Sequence, residues 1–225
     1  MIEEMIKNKN FGETKKTQKP KQEEPLFKKV FKEGRVVGLA GNKSSGKSNN
    51  VAYMIKDFRQ KGNSTPVYVY GFPKEAIEYL KTINVTEIDS IEQLATKKNC
   101  IILIDEFQRL KLNDRRHKEE LKDFINFLYH RNVYVMFISP DIREFNSIIG
   151  GVIETWLLKN ISEHQAINGS QLKKVIQGYK GRYKSLGTIH VGKGELILIN
   201  NDYSQIITCE YVPEVDDKKD HEELF

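Results

Sequence analysis

The residues from Gly41 to Ser48, GNKSSGKS, carry the spacing GxxxxGK[ST], and each fixed position has a chemical reason. Gly41 lets the chain leave a strand in a tight turn, and Gly46 lets the backbone approach an anion with no Cβ in the way. The N–H groups from about Ser44 to Ser48 then converge as an anion nest, helped by the positive end of the helix that follows. The Lys47 ammonium is placed to bridge the β- and γ-phosphates of a nucleotide, and the Ser48 hydroxyl to ligate magnesium. The residues assigned to the nucleotide are Gly41, Asn42, Lys43, Ser44, Ser45, Gly46, Lys47, Ser48 and Asn49. A Gly/Ser-rich surface turn is the alternative. An apolar strand before the loop and a helix after it weigh against that alternative.

A second group closes an apolar run. Cys100–Ile104 is followed by Asp105 and Glu106, so a buried strand would expose two carboxylates at its C-terminal end, where open α/β sheets bind ligands. Asp105 is placed to hold magnesium together with Ser48, and Glu106 to orient and deprotonate an attacking water. An acidic pair that merely caps the next helix is the competing explanation. The second carboxylate bears on the chemistry: water as nucleophile needs a base, whereas a small-molecule kinase can use its substrate's hydroxyl. The pattern therefore favours ATP hydrolysis.

Other residues carry weaker signals. Ser139 ends the next apolar strand and either senses the γ-phosphate or forms a Ser-Pro turn with Pro140. The loop Leu110–Lys118 gathers Lys111, Arg115, Arg116 and Lys118, and the helix after it ends in His130-Arg131. Such arginines could bind DNA phosphates, reach a neighbour's nucleotide, or simply be solvated. The stretch Lys173–Lys184 interleaves Tyr179 and Tyr183 with basic residues, as a nucleic-acid contact or a plain surface would.

These groups need a scaffold, and the hydrophobic pattern supplies one. Strands are predicted at Val36–Ala40, Val67–Tyr70, Cys100–Ile104, Val133–Ser139 and Glu154–Leu158. Helices are predicted at Lys47–Gln60, Lys74–Leu80, Ile91–Thr96 and His117–His130. Strand and helix alternate, which argues for a doubly wound α/β sheet, mostly parallel and flanked by helices. Later, Thr188–Val191 and Glu195–Asn200 flank GKG as a hairpin, and Ile206–Val212 offers a last edge strand. Residues 1–32 read as a flexible charged arm, 33–213 as one ATPase domain and 214–225 as an acidic tail.

The whole chain bounds the answer. Its 225 residues suit one α/β domain, and 39% hydrophobic with 30% charged residues suits a well-hydrated surface. A net charge of +5 is only mildly basic. No apolar run approaches the ~20 residues of a membrane span, and no secretory leader is visible. The distant Cys100 and Cys209 argue against a disulfide scaffold, so a cytoplasmic setting is expected, within a host cell or virion if the chain is viral.

In their order, these pieces resemble the FtsK/HerA group of P-loop ATPases over roughly Val36–Val212. The likeness runs through the phosphate loop, IILIDEFQRL with Phe107 after the carboxylates, the helix ending at His130-Arg131, VYVMFISPD, FNSIIGGVIETWLLKN and the late VGKGELILIN with Gly192, Gly194 and Glu195. The resemblance implies a RecA-like sheet with a C-terminal β-hairpin edge. It also implies a ring, commonly hexameric, that hydrolyses ATP with Mg2+ and moves double-stranded DNA. In that arrangement an arginine acts between subunits. Arg131 is the first candidate for it, with Arg115 or Arg116 second. One departure is Ser139-Pro140, where the group usually has glutamine. A compact chain without membrane helices looks most like viral genome-packaging ATPases, with a capsid or portal-type protein as a further partner. A nucleotide-switched assembly or secretion ATPase, as in phage morphogenesis, is the alternative, and a small-molecule kinase a third class.

Overall fold

Strands with no polar–apolar alternation need cover on both faces, and in this computed structural model they have it. The structure describes residues 23–107, 115–145, 147–161, 191–200 and 204–215. The strands are β1 (Val36–Gly41), β2 (Val67–Tyr70), β3 (Val85–Glu87), β4 (Cys100–Ile104), β5 (Val133–Ser139), β6 (Thr155–Lys159), β7 (Glu195–Ile199) and β8 (Ser204–Thr208). They form one eight-stranded sheet in the order β3-β2-β4-β5-β1-β6-β7-β8. Pairing is parallel from β3 to β6 and antiparallel where β7 meets β6 and β8. The doubly wound, mostly parallel sheet and its hairpin edge are thus present, and β5 lies between the loop strand β1 and the acidic strand β4.

Because neighbouring side chains on a strand point to opposite faces, the apolar runs feed two cores. On one face Val37, Leu39, Leu103, Met136 and Ile138 pack with α1 (Leu26–Val30), α2 (Lys47–Gln60) and α3 (Lys74–Thr82). On the other, Val36, Ala40, Ile102, Ile104, Val135 and Phe137 pack with α5 (Arg115–Arg131) and α6 (Ser147–Gly150). The short α4 (Ile91–Ala95) starts at Ser90, whose hydroxyl accepts the Gln93 N–H as an N-cap. Among the described residues, no helix is long and apolar enough to cross a membrane.

Several boundaries differ from expectation, each for a physical reason. The arm expected to reach Lys32 includes α1. Phe27 is 1% exposed and meets Phe58 edge-on at 5.6 Å, and the Leu26 N–H donates to Asp57 Oδ2 at 2.8 Å. The domain therefore includes these residues. At the other end Val215, expected in the tail, is buried in the core beside α3. Strand β3 was not foreseen: it has three residues, of which only Val85 is buried. Strand β6 begins and ends one residue later than predicted, which brings Lys159 into the sheet. The hairpin is β7–β8. Residues 188–190 lie outside the described residues, as does Leu172–Lys184, and Val191 is not in a strand.

The last strand stops at Thr208 because the chain then turns onto α2. The Cys209 N–H donates to the Gly194 carbonyl at 2.6 Å. Asn49 then pins Val212 from both sides: its Nδ2 donates to the Val212 carbonyl at 2.6 Å, and its Oδ1 accepts the Val212 N–H at 3.0 Å. Both cysteines are buried and free.

Two stability changes are expected. Phe27→Ala should lower the unfolding free energy in denaturant titration by about 3–5 kcal/mol, as for a buried aromatic in any core. Asn49→Ala leaves two backbone groups of Val212 without their partner and should cost about 1–3 kcal/mol. It should also speed limited proteolysis near residue 212.

Candidate functional site

Strands β2, β4, β5, β1 and β6 run parallel, so their C-terminal ends share one edge of the sheet. The phosphate loop leaves β1 at that edge. Gly41 sits opposite Lys159 of β6, and a Cβ on Gly41 would lie 2.0 Å from the Lys159 carbonyl oxygen. Only glycine fits there. Within the loop, Ser44 (φ 56°) and Gly46 (φ 85°) take left-handed conformations, the Ser45 N–H donates to the Asn42 carbonyl at 3.2 Å, and α2 starts at Lys47. The Asn42 N–H donates to the Asn160 carbonyl at 3.1 Å, which fastens the loop to the end of β6.

The Lys47 ammonium donates to the carbonyls of Gly41 at 2.9 Å and Asn42 at 3.0 Å. Burial pulls its pKa below the lysine range, while Asp105 and Glu106 pull it back up. Ser48 Oγ donates to Asp105 Oδ2 at 3.4 Å, so the predicted pair from the loop and from β4 meets. Asp105 is 6% exposed. Burial raises its pKa to about 6, against the opposing pull of the Glu106 N–H bond, Lys47 and Ser48. The two oxygens of Ser48 and Asp105 are hard donors of the kind magnesium takes alongside phosphate oxygens and water. A divalent cation there would also favour the ionised carboxylate that burial disfavours. Among the described residues no group of three His, Cys, Asp or Glu could hold a metal ion.

The turn carrying both carboxylates is held from three sides. The Asp105 N–H donates to the Tyr70 carbonyl at 2.8 Å, and Gly71 lies so close that a Cβ on it would come within 2.5 Å of the Asp105 carbonyl oxygen. Glu106 adopts φ 47°, a strained value for a non-glycine residue, and its N–H donates to Asp105 Oδ1 at 2.8 Å. Phe107, 1% exposed, then plunges into the core against Phe145 at 4.7 Å and Phe137 at 5.7 Å. That anchor is why two acids can stay at the edge while the chain reverses.

The remaining predicted residues divide. Ser139 stands at the edge opposite Ala40, fully buried, but its hydroxyl donates to the Asp141 carbonyl at 2.9 Å and accepts the Asp141 N–H at 3.1 Å. It forms the turn that the sequence offered as the alternative to sensing. The Asn49 side chain is committed to Val212. Arg131 precedes β5, so a seven-residue strand, roughly 20 Å at about 3.3 Å per residue, separates it from the phosphate edge of its own chain. There its guanidinium lies 5.1 Å from the centre of the Phe127 ring. Arg115 and Arg116 begin α5, but their side chains, like the loop before them, lie outside the described residues.

Sequence reasoning missed Lys159. Its side chain is fully buried at the phosphate edge, and its Nζ donates to Asn50 Oδ1 at 3.2 Å and to the carbonyls of Gly192 at 3.4 Å, Glu195 at 3.3 Å and Lys193. A lysine directly after the apolar run Trp156, Leu157 and Leu158 was the available signal.

No family model matches the chain, and no curated protein matches it in sequence. Solved structures do match in shape. The DNA-packaging ATPase B204 of Sulfolobus turreted icosahedral virus is 10% identical with a TM-score of 0.56, covering 79% of this chain and 98% of that one. The genome-packaging NTPase B204 of Sulfolobus turreted icosahedral virus 2, solved with ATP-gammaS, is 11% identical with a TM-score of 0.53 over 79% and 97%. The cytoplasmic domain of the type VII secretion ATPase EccC from Thermomonospora curvata is 12% identical with a TM-score of 0.58, covering 82% of this chain and 26% of that one. At these identities the likeness is one of fold, and it is the P-loop ATPase fold that the resemblance to the FtsK/HerA group implied.

Proposed function

We propose that this chain is an FtsK/HerA-type ATPase that hydrolyses ATP and drives double-stranded DNA as a ring of identical subunits, in the packaging or transfer of a viral or plasmid genome. The observation that carries the reading is the meeting of Ser48 and Asp105 at 3.4 Å, beside Lys47 and one residue from Glu106, on the edge where the phosphate loop opens. Neighbours in fold whose names include DNA packaging and genome packaging support the DNA part.

The residues divide the work. The N–H groups of the loop and Lys47 take the phosphates, and Ser48 with Asp105 would hold magnesium. When bound, magnesium supplies charge neutralisation at the phosphate oxygens. Glu106 accepts the proton of the water whose oxygen attacks the γ-phosphorus, while the bond to the departing diphosphate oxygen breaks. Arg131 of a neighbouring subunit stabilises the charge that develops, with Arg115 and Arg116 as the alternatives. DNA contact falls to the basic segments around Lys111–Lys118 and Lys173–Lys184. A capsid or portal-type protein would receive the ring.

A secretion or assembly ATPase is the second reading, favoured by the similarity in fold to EccC. Duplex DNA separates the two. The motor reading expects ATP turnover to rise several-fold when duplex DNA is added at low salt, and the rise to fade as salt screens phosphate contacts. Identical turnover with and without DNA, in the assembled protein and across salt concentrations, would sink it. Phosphate appearing on an added nucleoside instead of in solution would point to a kinase.

Two substitutions test the chemistry within either reading. Lys47→Ala should abolish measurable nucleotide binding. Glu106→Gln should keep binding but slow hydrolysis by about 10²–10⁴-fold, the usual worth of a positioned base. Wild-type turnover by Glu106→Gln would remove the assignment of the base.

A further inference from the structure

Lys159 is the one lysine of β6, and its charge has been carried into the sheet with no anion paired to it among the described residues. Its side chain is 0% exposed. All of the acceptors around its Nζ are neutral oxygens: the Asn50 side chain and the carbonyls of Gly192, Lys193 and Glu195. Among the described residues no carboxylate forms an ion pair with it. The acid of Glu195, whose charge favours the ammonium, instead accepts the Gly192 N–H at 2.9 Å.

A buried ammonium that is hydrogen-bonded but not neutralised is costly to keep, and it projects its field into a poorly screening interior. That field falls on the phosphate loop. A Cβ built on Gly46 would lie 3.8 Å from Lys159 Cε and 3.9 Å from the Lys193 carbonyl oxygen, so the lysine and the turn it holds abut the loop from behind. Asn50, its side-chain acceptor, lies in the first turn of α2, and its N–H donates to the Gly46 carbonyl at 3.0 Å. Burial pulls the Lys159 pKa down, Cys209 and Glu195 oppose the fall, and Lys47 adds to it. Lys47 at the Gly41 and Asn42 carbonyls and Lys159 beside Gly46 thus set two cations against one glycine loop, a place that favours an anion of high charge.

We propose that Lys159 is a second positioning lysine of the phosphate loop: it acts through the loop and through the 192–195 turn, without touching the nucleotide, to favour highly charged phosphate chains over short ones. The inference rests on the proposed nucleotide site. Its work is of two kinds. The hydrogen bonds to Asn50 and to the turn hold the back of the loop in place. The charge adds attraction that grows with the number of phosphate charges.

The test measures Kd for a non-hydrolysable ATP analogue and for AMP in wild type, Lys159→Met and Lys159→Arg, at two salt concentrations. Lys159→Met keeps an unbranched side chain of nearly the same length and removes the charge. It should weaken the triphosphate analogue about tenfold at low salt, weaken AMP less than about threefold, and flatten the salt dependence of triphosphate binding. Lys159→Arg should recover part of the preference. Equal weakening of both nucleotides by Lys159→Met would mean a role in loop shape only and would overturn the proposal, as would no weakening. Should Lys159→Met not fold, the wild type decides by nitrogen-15 NMR of labelled lysines, with Lys159 assigned by its loss in Lys159→Arg. Its side-chain pKa should rise on binding the triphosphate analogue and rise less on binding AMP, and no difference would overturn the proposal. Wild type binding neither nucleotide would overturn the functional reading itself, whereas wild type binding with an indifferent Lys159→Met overturns this inference alone.

Discussion

Between Gly41 and the Lys159 carbonyl there is no room for a methyl group, and that close approach sets the geometry of the phosphate edge. Gly41 is both the last residue of β1 and the first of the loop, so the β1–β6 register is fixed at the point where the loop begins. Holding Lys159 opposite Gly41 makes Asn160 available to accept the Asn42 N–H, and Asn160 Oδ1 then takes the Val191 N–H at 2.9 Å. The loop, the end of β6 and the approach to β7 are tied through adjacent residues. A side chain at position 41 would push β6 away and loosen all three.

Charge is arranged on this frame with some tension. Lys47 is nearly buried, Lys159 wholly so, and Asp105 is buried enough that its pKa rises to about 6. Each costs desolvation energy, and carbonyl oxygens stabilise the cations only in part. Such a set is poor as a stabilising device, since well-packed apolar groups would do better in the same space. It is good as a preorganised receptor, because the donors and charges stand in place before a polyanion arrives. Glu106, held at φ 47° by the Phe107 anchor, belongs to the same economy of strain.

The parts legible in the sequence are those whose signal is local. The loop spacing, the unbroken apolar runs of β4 and β5 and the helical periodicity of Leu121, Phe124, Ile125 and Leu128 in α5 announce themselves within a few residues, and the alternation of strand and helix followed from them. The unreadable parts depend on partners far along the chain. Helix α1 has five residues with two lysines among them, so nothing local marks it as core; Phe58 and Asp57 do that from 31 residues away. The hydrogen bonds of the Asn49 side chain with Val212 join residues 163 apart in the chain, which no local pattern announces. The turn that Ser139 makes depends on the path of the backbone at Asp141, which receives both of its hydroxyl bonds. The terminal lysine of β6 is visible in the sequence, but its burial is not, because its acceptors come from α2 and from the residues 192–195.

The antiparallel hairpin has a consequence for the site that its place at the end of the sheet conceals. Without β7, strand β6 would be the sheet's edge, and Lys159 would stand in solvent as an ordinary surface lysine. Strand β7 pairs Leu198 with Leu157 and Ile197 with Leu158, which seals that edge with apolar contacts. The turn before β7 is thereby delivered to the back of the phosphate loop, where its carbonyls meet the buried ammonium. Strand β8 is left to face outward, with Ile206 48% exposed and Gln205 and Thr208 also in solvent. Cys209 and Val212 then lead the chain back onto α2 at Asn49, so the hairpin is clamped to the first turn of the helix at one end and to the loop at the other. Side-chain hydrogen bonds of Lys159, Asn50 and Asn49 therefore join the back of the phosphate loop and the first turn of α2 to both ends of the hairpin.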